Sequence, residues 1–290
     1  MNKIIMRYIF IVMVALATGC GTGISGLGNS TRSFTHWLKM HPRDWADSLE
    51  MDRTWQAALV RIPKTGSTRF IRTTISKLTS SNTAIKGTYP TVIYMHGCTG
   101  IWEGTLHTIN FLAKNGYAVI APASFARKKY PKSCEPSTHK GGLYQPTLKM
   151  RQNDAGYAIA KAKMLDWVDS ENVFLMGLSE GGITTATFSS KDEDMSVKAR
   201  IVEGWTCHAG WHSYHGLNAP DNEPVLSLVA KDDPWFQSRQ LKGDCGRFMN
   251  KSNGSKSIVF TDGYLRYKHR LLGSKKAKKI VIRFLKQNIN

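Results

Sequence analysis

From residue 91 to the C-terminus, short apolar runs alternate with longer segments that have the periodicity of amphipathic helices. A strand buried on both faces needs a continuous apolar run, and successive parallel strands need a crossover between them. The alternation therefore predicts a mostly parallel sheet with helices on both faces. The predicted strands cover residues 91–95, 117–121, 173–176, 201–204, 225–229 and 257–261, and the predicted helices cover residues 104–114, 153–165, 181–189 and 275–286.

Two β-rich segments precede this region. Residues 57–62 and 69–76 are separated by a glycine-containing turn at residues 64–67, which predicts an antiparallel hairpin. Two antiparallel strands followed by six parallel ones is the order of the α/β-hydrolase fold, so we predict an eight-stranded sheet flanked by helices. We place this single domain at residues 55–290, after a polar tether and N-terminal extension at residues 20–54.

The N-terminus has the pattern of an export signal. A basic start precedes an apolar run at residues 9–17, which is too short to span a bilayer. The run leads into Cys20 and resembles the signal peptide of bacterial lipoproteins, in which this Cys is lipidated and becomes the mature N-terminus. We predict that residues 1–19 are removed and that Cys20 anchors the exported chain on the periplasmic side of the envelope, with Gly21 favouring the outer membrane. The alternative is ordinary signal-peptide cleavage nearby.

Four cysteines remain after Cys20, and an oxidising compartment makes disulfides the expected state. Four cysteines can pair in three ways. We favour Cys98–Cys134 together with Cys207–Cys245, because each pair closes a loop of moderate length. Four buried free thiols are the alternative.

The chain is strongly basic, with 40 Lys and Arg residues against 21 acidic residues and a formal charge of +19. Such a charge is found in nucleic-acid-binding proteins, but export separates the protein from cellular DNA and RNA. We therefore expect no nucleic-acid partner, and we interpret the charge as attraction to anionic membrane surfaces or anionic substrates.

A G-x-S-x-G pattern marks the candidate nucleophile, and it consists of Gly177-Leu178-Ser179-Glu180-Gly181. An apolar strand ends just before it and a helix-compatible run begins just after it, which is the arrangement of a nucleophile elbow. In such an elbow the Ser sits on a tight turn at positive φ, so its hydroxyl projects above the sheet edge. A capping Ser at a glycine-rich helix start is the structural alternative.

The base and the acid are predicted from their positions after later strands. A serine hydroxyl needs a neighbouring base, and the base needs a third group that holds its tautomer. His269 lies between the last strand and the final helix, and Asp232 and Asp233 follow an apolar strand. We favour Asp233 because related hydrolases usually place the acid three residues past a small turn residue, here Ala230, and directly before a proline. Asp232 remains the alternative. The order Ser179, Asp233, His269 is that of α/β-hydrolases.

Two backbone N–H groups are candidates for an oxyanion hole. Gly97 lets the chain turn after the third predicted strand, residues 91–95, so that the N–H of Cys98 can face the oxyanion. The second candidate donor is the N–H of Glu180. We interpret the neighbouring His96 as structural rather than catalytic.

Several loop residues are predicted to shape the substrate pocket. Residues 123–152 lack periodicity and form a loop long enough to be a lid, or else a disulfide-pinned surface segment without substrate contact. Aromatic residues near the candidate site indicate a substrate with apolar or aromatic bulk, and the lysines of the loop allow an anionic ester. The aromatic residues are Trp102, Trp211, Tyr214 and Trp235, and the lysines are Lys128, Lys129 and Lys132.

One further cluster has the spacing of metal ligands, namely Cys207, His208, His212 and His215. Because an oxidised Cys cannot bind zinc, the favoured Cys207 disulfide argues for a polar pocket wall there. We therefore predict no metal site and no cofactor.

In addition to the elbow at Ser179, several other motifs resemble those of the dienelactone-hydrolase-like branch of the α/β-hydrolases. They are His96-Gly97-Cys98-x-Gly100, Gly116 to Pro122, Ser124-Phe125 with Cys134 downstream, Arg151-x-x-Asp154-Ala155, and Cys245 after Asp233. The resemblance runs from about residue 89 to the terminal helix and implies hydrolysis of a small-molecule ester. The namesake enzymes use a Cys nucleophile. Since Ser179 stands at that position here, we expect a serine esterase that works through an acyl-enzyme.

Two other functions remain as alternatives. One is a peptidase of the prolyl-oligopeptidase-like type, against which the absence of a propeller-sized N-terminal region counts. The other is a non-catalytic basic envelope lipoprotein that uses the hydrolase fold for binding, against which an ordered triad counts.

Overall fold

The computed structural model describes residues 41–81, 84–190 and 192–289. The predicted signal peptide, the lipidation site Cys20 and residues 20–40 of the predicted tether lie outside the described residues.

The described residues form one eight-stranded sheet with the order β2-β1-β4-β3-β5-β6-β7-β8. β1 is antiparallel to both of its neighbours, and the other seven strands share one direction. This arrangement confirms the predicted α/β-hydrolase fold and the predicted N-terminal hairpin. The strands are β1 (Leu59–Pro63), β2 (Phe70–Thr74), β3 (Tyr89–Met95), β4 (Ala118–Ala121), β5 (Val168–Leu178), β6 (Ala199–Glu203), β7 (Val225–Ala230) and β8 (Lys256–Phe260).

Helices cover both faces of the sheet, and alternate strand residues pack against different helices. Val92 and Tyr94 of β3 belong to the core shared with α4 and α7. Ile93 and Met95 belong to the core on the other face, which is shared with α2, α3 and α5. The helices are α1 (Pro42–Trp45), α2 (Ser48–Gln56), α3 (Ile75–Ser81), α4 (Glu103–Lys114), α5 (Pro146–Lys163), α6 (Glu180–Thr187) and α7 (Lys275–Gln287).

Most element boundaries lie within one or two residues of the sequence prediction, and three differences have more to say about the fold. α5 begins at Pro146 rather than at residue 153, since a proline fits the first turn of a helix, where no N–H partner is needed. β2 ends at Thr74 and a helix begins at Ile75, within the segment predicted as a strand. β5 begins at Val168 rather than at residue 173. Residues 169–171 are polar and partly or fully exposed, so a prediction based on apolar runs misses this part of the strand.

The described part of the N-terminal extension packs against the domain. Asn153 of α5 donates a hydrogen bond to the carbonyl of Trp45 at 2.9 Å. The guanidinium of Arg127 donates to the carbonyls of Asp44 at 3.0 Å and Trp45 at 3.2 Å. The domain boundaries placed after residues 19 and 54 stay predictions. Among the helices in the described ranges, none is long and apolar enough to cross a membrane.

Both predicted disulfides are present. Cys98–Cys134 joins the loop after β3 to the long segment after β4. Cys207–Cys245 joins the loop after β6 to the loop after β7. Both bonds therefore connect loops at the carboxyl edge of the sheet, where ligands bind in open α/β folds.

We expect Gly177→Ala to destabilise the domain by about 3 kcal/mol or more. A Cβ added there would lie 2.1 Å from the carbonyl oxygen of Gly181, which is backbone and cannot rotate away. Urea unfolding followed by circular dichroism measures the effect. Gly273→Ala is the matched control, since its Cβ would meet no described atom closer than 3.7 Å. Equal free energies of unfolding for the two variants would contradict this account of the turn.

Candidate active site

Ser179 occupies a strained turn between β5 and α6. Its backbone has φ 60° and ψ −119°, a conformation that costs roughly 1–3 kcal/mol for a residue with a side chain. Its N–H donates to the carbonyl of Glu203 at 2.9 Å. Backbone segments approach so closely here that a Cβ at Gly181 would lie 2.0 Å from the carbonyl oxygen of Met95. The two glycines of the motif are therefore required by close contact.

Asp233 contacts the ring of His269. Its Oδ2 lies 2.8 Å from His269 Nδ1, and its Oδ1 accepts a hydrogen bond from the N–H of Trp235 at 3.0 Å. Asp233 is only 1% exposed, which protects the contact from water. Because a carboxylate accepts hydrogen bonds, His269 Nδ1 is the donor in this contact, and in the neutral form of the imidazole Nε2 is then the acceptor nitrogen.

The adjacent Asp232 points elsewhere. Its carboxylate pairs with the Nε of Arg266, and its N–H donates to the carbonyl of Arg266 at 2.9 Å. This pair holds the segment that leads into His269 and makes no contact with the imidazole. The structure thus places Asp233, and not Asp232, beside the candidate base.

Ser179 and His269 line one cavity together. The Nε2 of His269 is buried and has no hydrogen-bond partner among the described residues. The ring is held between aromatic neighbours: Trp235 stacks on it with centroids 5.2 Å apart, and Phe236 lies 5.6 Å away. His269 is thus oriented by Asp233 and shares a cavity with the candidate nucleophile, and its Nε2 has no described partner. These are features of a candidate general base.

Glu203 is a site residue that our sequence analysis missed. This fully buried carboxylate at the end of β6 accepts hydrogen bonds from the N–H groups of Leu271 at 2.6 Å and Leu272 at 2.7 Å. Its own carbonyl receives the N–H of Ser179. Glu203 therefore links the serine turn to the segment that follows His269. A charged residue that ends an otherwise apolar strand was the available signal.

The predicted oxyanion donors, Cys98 and Glu180, lie next to Ser179. A Cβ added at Gly97 would be 3.6 Å from the Cβ of Ser179, so the loop after β3 runs alongside the serine. Cys98 lines the same cavities as Ser179. Glu180 is the first residue of α6, where backbone N–H groups have no acceptor within the helix.

A buried guanidinium connects these two loops and was also missed as a site residue. Arg151 donates to the carbonyl of His96 and lies 3.2 Å from Oε1 of Glu180. The hydroxyl of Tyr130 donates to the same Glu180 oxygen at 2.9 Å and receives a contact from Arg151 at 3.1 Å. Desolvation, together with the charge of Arg151, lowers the pKa of His96 well below its usual value, so this imidazole is neutral. His96 is thus part of the packing behind the oxyanion loop.

Two cavities open at Ser179. The first has a volume of about 320 Å³ and contains three of the predicted pocket residues, Trp211, Tyr214 and Trp235. The second, of about 400 Å³, contains Trp102 and again Trp235. The segment at residues 123–152 contributes Cys134, Gly141 and Gly142 to the first cavity, so it contacts the site.

The lysines of that segment and the histidines after β6 make other contacts. Lys132 pairs with Glu135, and Lys129 lies 3.9 Å from Asp44. Cys207 is oxidised, and the ring of His208 packs against the rings of His215 and Phe248. Within the described ranges, no group of three or more His, Cys, Asp or Glu side chains is arranged to hold a metal ion.

Comparison with known proteins gives one family match. The dienelactone hydrolase family model matches residues 77–256. A structure described as a dienelactone hydrolase from Klebsiella pneumoniae is 18% identical, with a TM-score of 0.52 over 70% of this chain and 89% of that one. A dienelactone hydrolase-like promiscuous phosphotriesterase from metagenomic libraries is 16% identical, with a TM-score of 0.51 over 71% and 89%. At these identities the two structures show a shared fold. None of the curated proteins matches the sequence.

The buried carboxyl of Glu203 predicts a pH-dependent stability. Desolvation raises its pKa, so the folded state holds this proton more tightly than the unfolded state does. The stability contributed by the protonated form is fully present below the unfolded pKa and is lost as pH rises through the folded pKa. Glu203→Gln removes the ionisation and keeps an acceptor for both N–H groups. We therefore expect the variant to gain stability relative to the parent chain as pH rises.

Urea midpoints measured from pH 4 to pH 8 test this expectation. Glu135→Gln is the control, because hydrogen bonds from Lys132 and Ser137 lower the pKa of that exposed carboxyl to about 2. Its contribution has the opposite sign and is constant above about pH 5. A Glu203→Gln difference that does not change with pH would refute the assigned direction.

Proposed function

Because the chain belongs to the dienelactone hydrolase family, we propose that it is a serine hydrolase that cleaves carboxylic esters through an acyl-enzyme on Ser179. Family membership makes the protein a hydrolase of the α/β fold. The observation that supports the finer assignment is the hydrogen bond between Asp233 and His269, whose Nε2 has no described partner and whose ring lines the same cavity as Ser179.

In the proposed reaction, His269 Nε2 takes the proton of Ser179 Oγ while that oxygen bonds to the substrate carbonyl carbon. The tetrahedral oxyanion accepts hydrogen bonds from the N–H groups of Cys98 and Glu180. His269 then gives its proton to the alkoxy oxygen, the C–O bond breaks, and the alcohol leaves. Water repeats the sequence on the acyl-enzyme and releases the acid. Asp233 keeps Nδ1 protonated throughout and stabilises the imidazolium.

The buried charged side chains beside Ser179 support this mechanism because they hold the loops of the proposed oxyanion donors and of His269 in place. Arg151 holds the carbonyl of His96 on one side and the carboxylate of Glu180 on the other, and the two proposed oxyanion donors lie in these two loops. Glu203 attaches the segment after His269 to the end of β6. Electrostatic stabilisation depends on donors that are already oriented before charge develops.

The two alternative functions make different predictions. A binding module has no need for an imidazole acceptor that is oriented, buried and unpaired, so a fluorophosphonate probe that labels Ser179 would exclude that alternative. Parallel assays with peptide and ester substrates separate a peptidase from an esterase.

Replacement of the triad residues tests the chemistry. We expect Ser179→Ala to lower kcat for 4-nitrophenyl acetate by ~10³-fold or more, and Asp233→Asn to lower it by ~10³–10⁴-fold because the wrong tautomer of His269 is then favoured. Asp232→Asn is the matched control and should change kcat by less than about tenfold, since Asp232 pairs with Arg266. Unchanged kcat in Ser179→Ala would remove this residue from the mechanism.

We also propose that the chain is exported and anchored in the cell envelope through Cys20, on the evidence of the N-terminal sequence and of two disulfides in the folded domain. Cys20→Ser should shift the protein from the membrane fraction to the soluble envelope fraction. Mass spectrometry of the mature N-terminus distinguishes lipidation at Cys20 from cleavage by an ordinary signal peptidase. An unmodified N-terminus at another residue would contradict the anchor.

A further inference from the structure

The two cavities meet at the nucleophile. Three residues line both of them, namely Ser179, Cys98 and Trp235. Every other residue around them lines one cavity only. An ester bound at Ser179 extends in two directions from its carbonyl carbon, toward the acyl group and toward the alcohol. Two separate cavities at that point can hold the two parts separately.

The position of His269 distinguishes the cavities. It lines the second cavity and does not line the first. In ester cleavage the proton on Nε2 goes to the alkoxy oxygen, so this oxygen must lie within hydrogen-bond reach of His269. The alcohol therefore extends into the second cavity, beside Thr99 and Trp102. The acyl group is left on the side of the first cavity.

The first cavity has the chemistry of a site for an uncharged, flat group. Its wall contains five aromatic side chains, and their edge-to-face contacts include Trp211 with Tyr214 and Trp205 with Phe236, at 5.2 and 5.5 Å between centroids. The five are Trp205, Trp211, Tyr214, Trp235 and Phe236. A volume of about 320 Å³ is at the lower end of the range for small-molecule sites and is enough for a single ring with its linker.

Charges in and around this cavity are already paired. The carboxylate of Glu180 is bound by Arg151 and Tyr130. No Lys or Arg among the described residues lines the cavity. A carboxylate buried there would lose its hydration without gaining a cation, which costs several kcal/mol. This argues against the anionic acyl group that the lysines of residues 123–152 allowed.

The loop after β4 limits the size of the cavity. A Cβ at Gly142 would lie 2.8 Å from the ring of Trp211, so loop and ring are already in close contact. The Cys98–Cys134 disulfide connects this loop to the candidate oxyanion loop. The wall is therefore held in place relative to the carbonyl carbon that Ser179 attacks.

We infer that the first cavity is the acyl site, that the second is the alcohol site, and that the substrates are esters whose acyl group is bulky, uncharged and aromatic. This inference rests on the proposed function and deepens it.

Two tryptophan substitutions with opposite expected effects test the division. Leu241→Trp fills the first cavity and Thr99→Trp fills the second, since each residue lines one cavity only. The acyl series consists of 4-nitrophenyl acetate, benzoate and cinnamate, and the alcohol series consists of methyl, phenyl and 2-naphthyl acetate. Leu241→Trp should lower kcat/KM for the benzoate and cinnamate at least about tenfold more than for the acetate. The ratios of kcat/KM within the alcohol series, in which every ester is an acetate, should stay the same. Thr99→Trp should lower kcat/KM for the naphthyl ester selectively.

Two further variants serve as a replacement for Leu241→Trp and as a control. Gln240→Trp narrows the first cavity from an exposed position, so it replaces Leu241→Trp if the latter fails to fold. Leu49→Trp, on α2 and 75% exposed, is the control for a surface tryptophan and should match the parent chain in both series.

Each contrary result has a distinct meaning. Selective loss in the alcohol series with Leu241→Trp, or equal losses in both series with both variants, would overturn the division of the site. A parent chain that hydrolyses 4-nitrophenyl hydrogen succinate or phthalate faster than the benzoate would overturn the uncharged acyl site. Absence of ester turnover altogether, or turnover that survives Ser179→Ala, is a failure of the proposed function and is recognised before any series is compared.

Discussion

Close contact between backbone segments at the carboxyl edge of the sheet holds Ser179 in its turn. The carbonyls of Met95, Gly181 and Glu203 all lie so near the motif that side chains at the three glycines Gly177, Gly181 and Gly182 would collide with them. Strain at Ser179 persists because strands β3, β5 and β6 are paired on either side of it and leave the chain no room to relax. The position of the hydroxyl is thus a property of the central sheet.

Buried charged side chains also fix the positions of the loops around Ser179. Glu203 and Arg151 are both fully buried. Glu203 binds the segment after His269 with its side chain and the N–H of Ser179 with its carbonyl, and Arg151 joins the carbonyl of His96 to Glu180. Buried ion pairs seldom stabilise a protein more than apolar residues of the same volume would. Arg151 instead fixes the positions of two loops, because the donors of a guanidinium have a rigid forked geometry and bind both loops at once. Arg200 of β6 and Glu223, in the loop before β7, form another buried pair, 2.6 Å apart, and neither residue lines the two cavities.

The loops after β3, β4, β6 and β7 build the cavities, and the two disulfides tie them together in pairs. This arrangement follows from the fold. The strand ends carry the candidate reacting groups, and the connecting loops form the walls of the cavities. Five aromatic side chains line the first cavity, and none of the Lys or Arg residues in the described ranges lines it.

The sequence by itself determined the α/β-hydrolase fold and the turn at Ser179, because periodicity and glycine spacing are local properties. Cysteine usage favoured two disulfides, but which cysteines pair was settled only by the tertiary structure. The sequence left Asp232 and Asp233 as neighbours on one turn, and only the tertiary structure decided between them: Pro234 and Trp235 turn one carboxylate inward, while Arg266 binds the other. The roles of Glu203 and Arg151 were likewise decided by folding, since their partners lie tens of residues away along the chain. Side-chain direction and long-range pairing arise only when distant segments pack, and no local pattern records them.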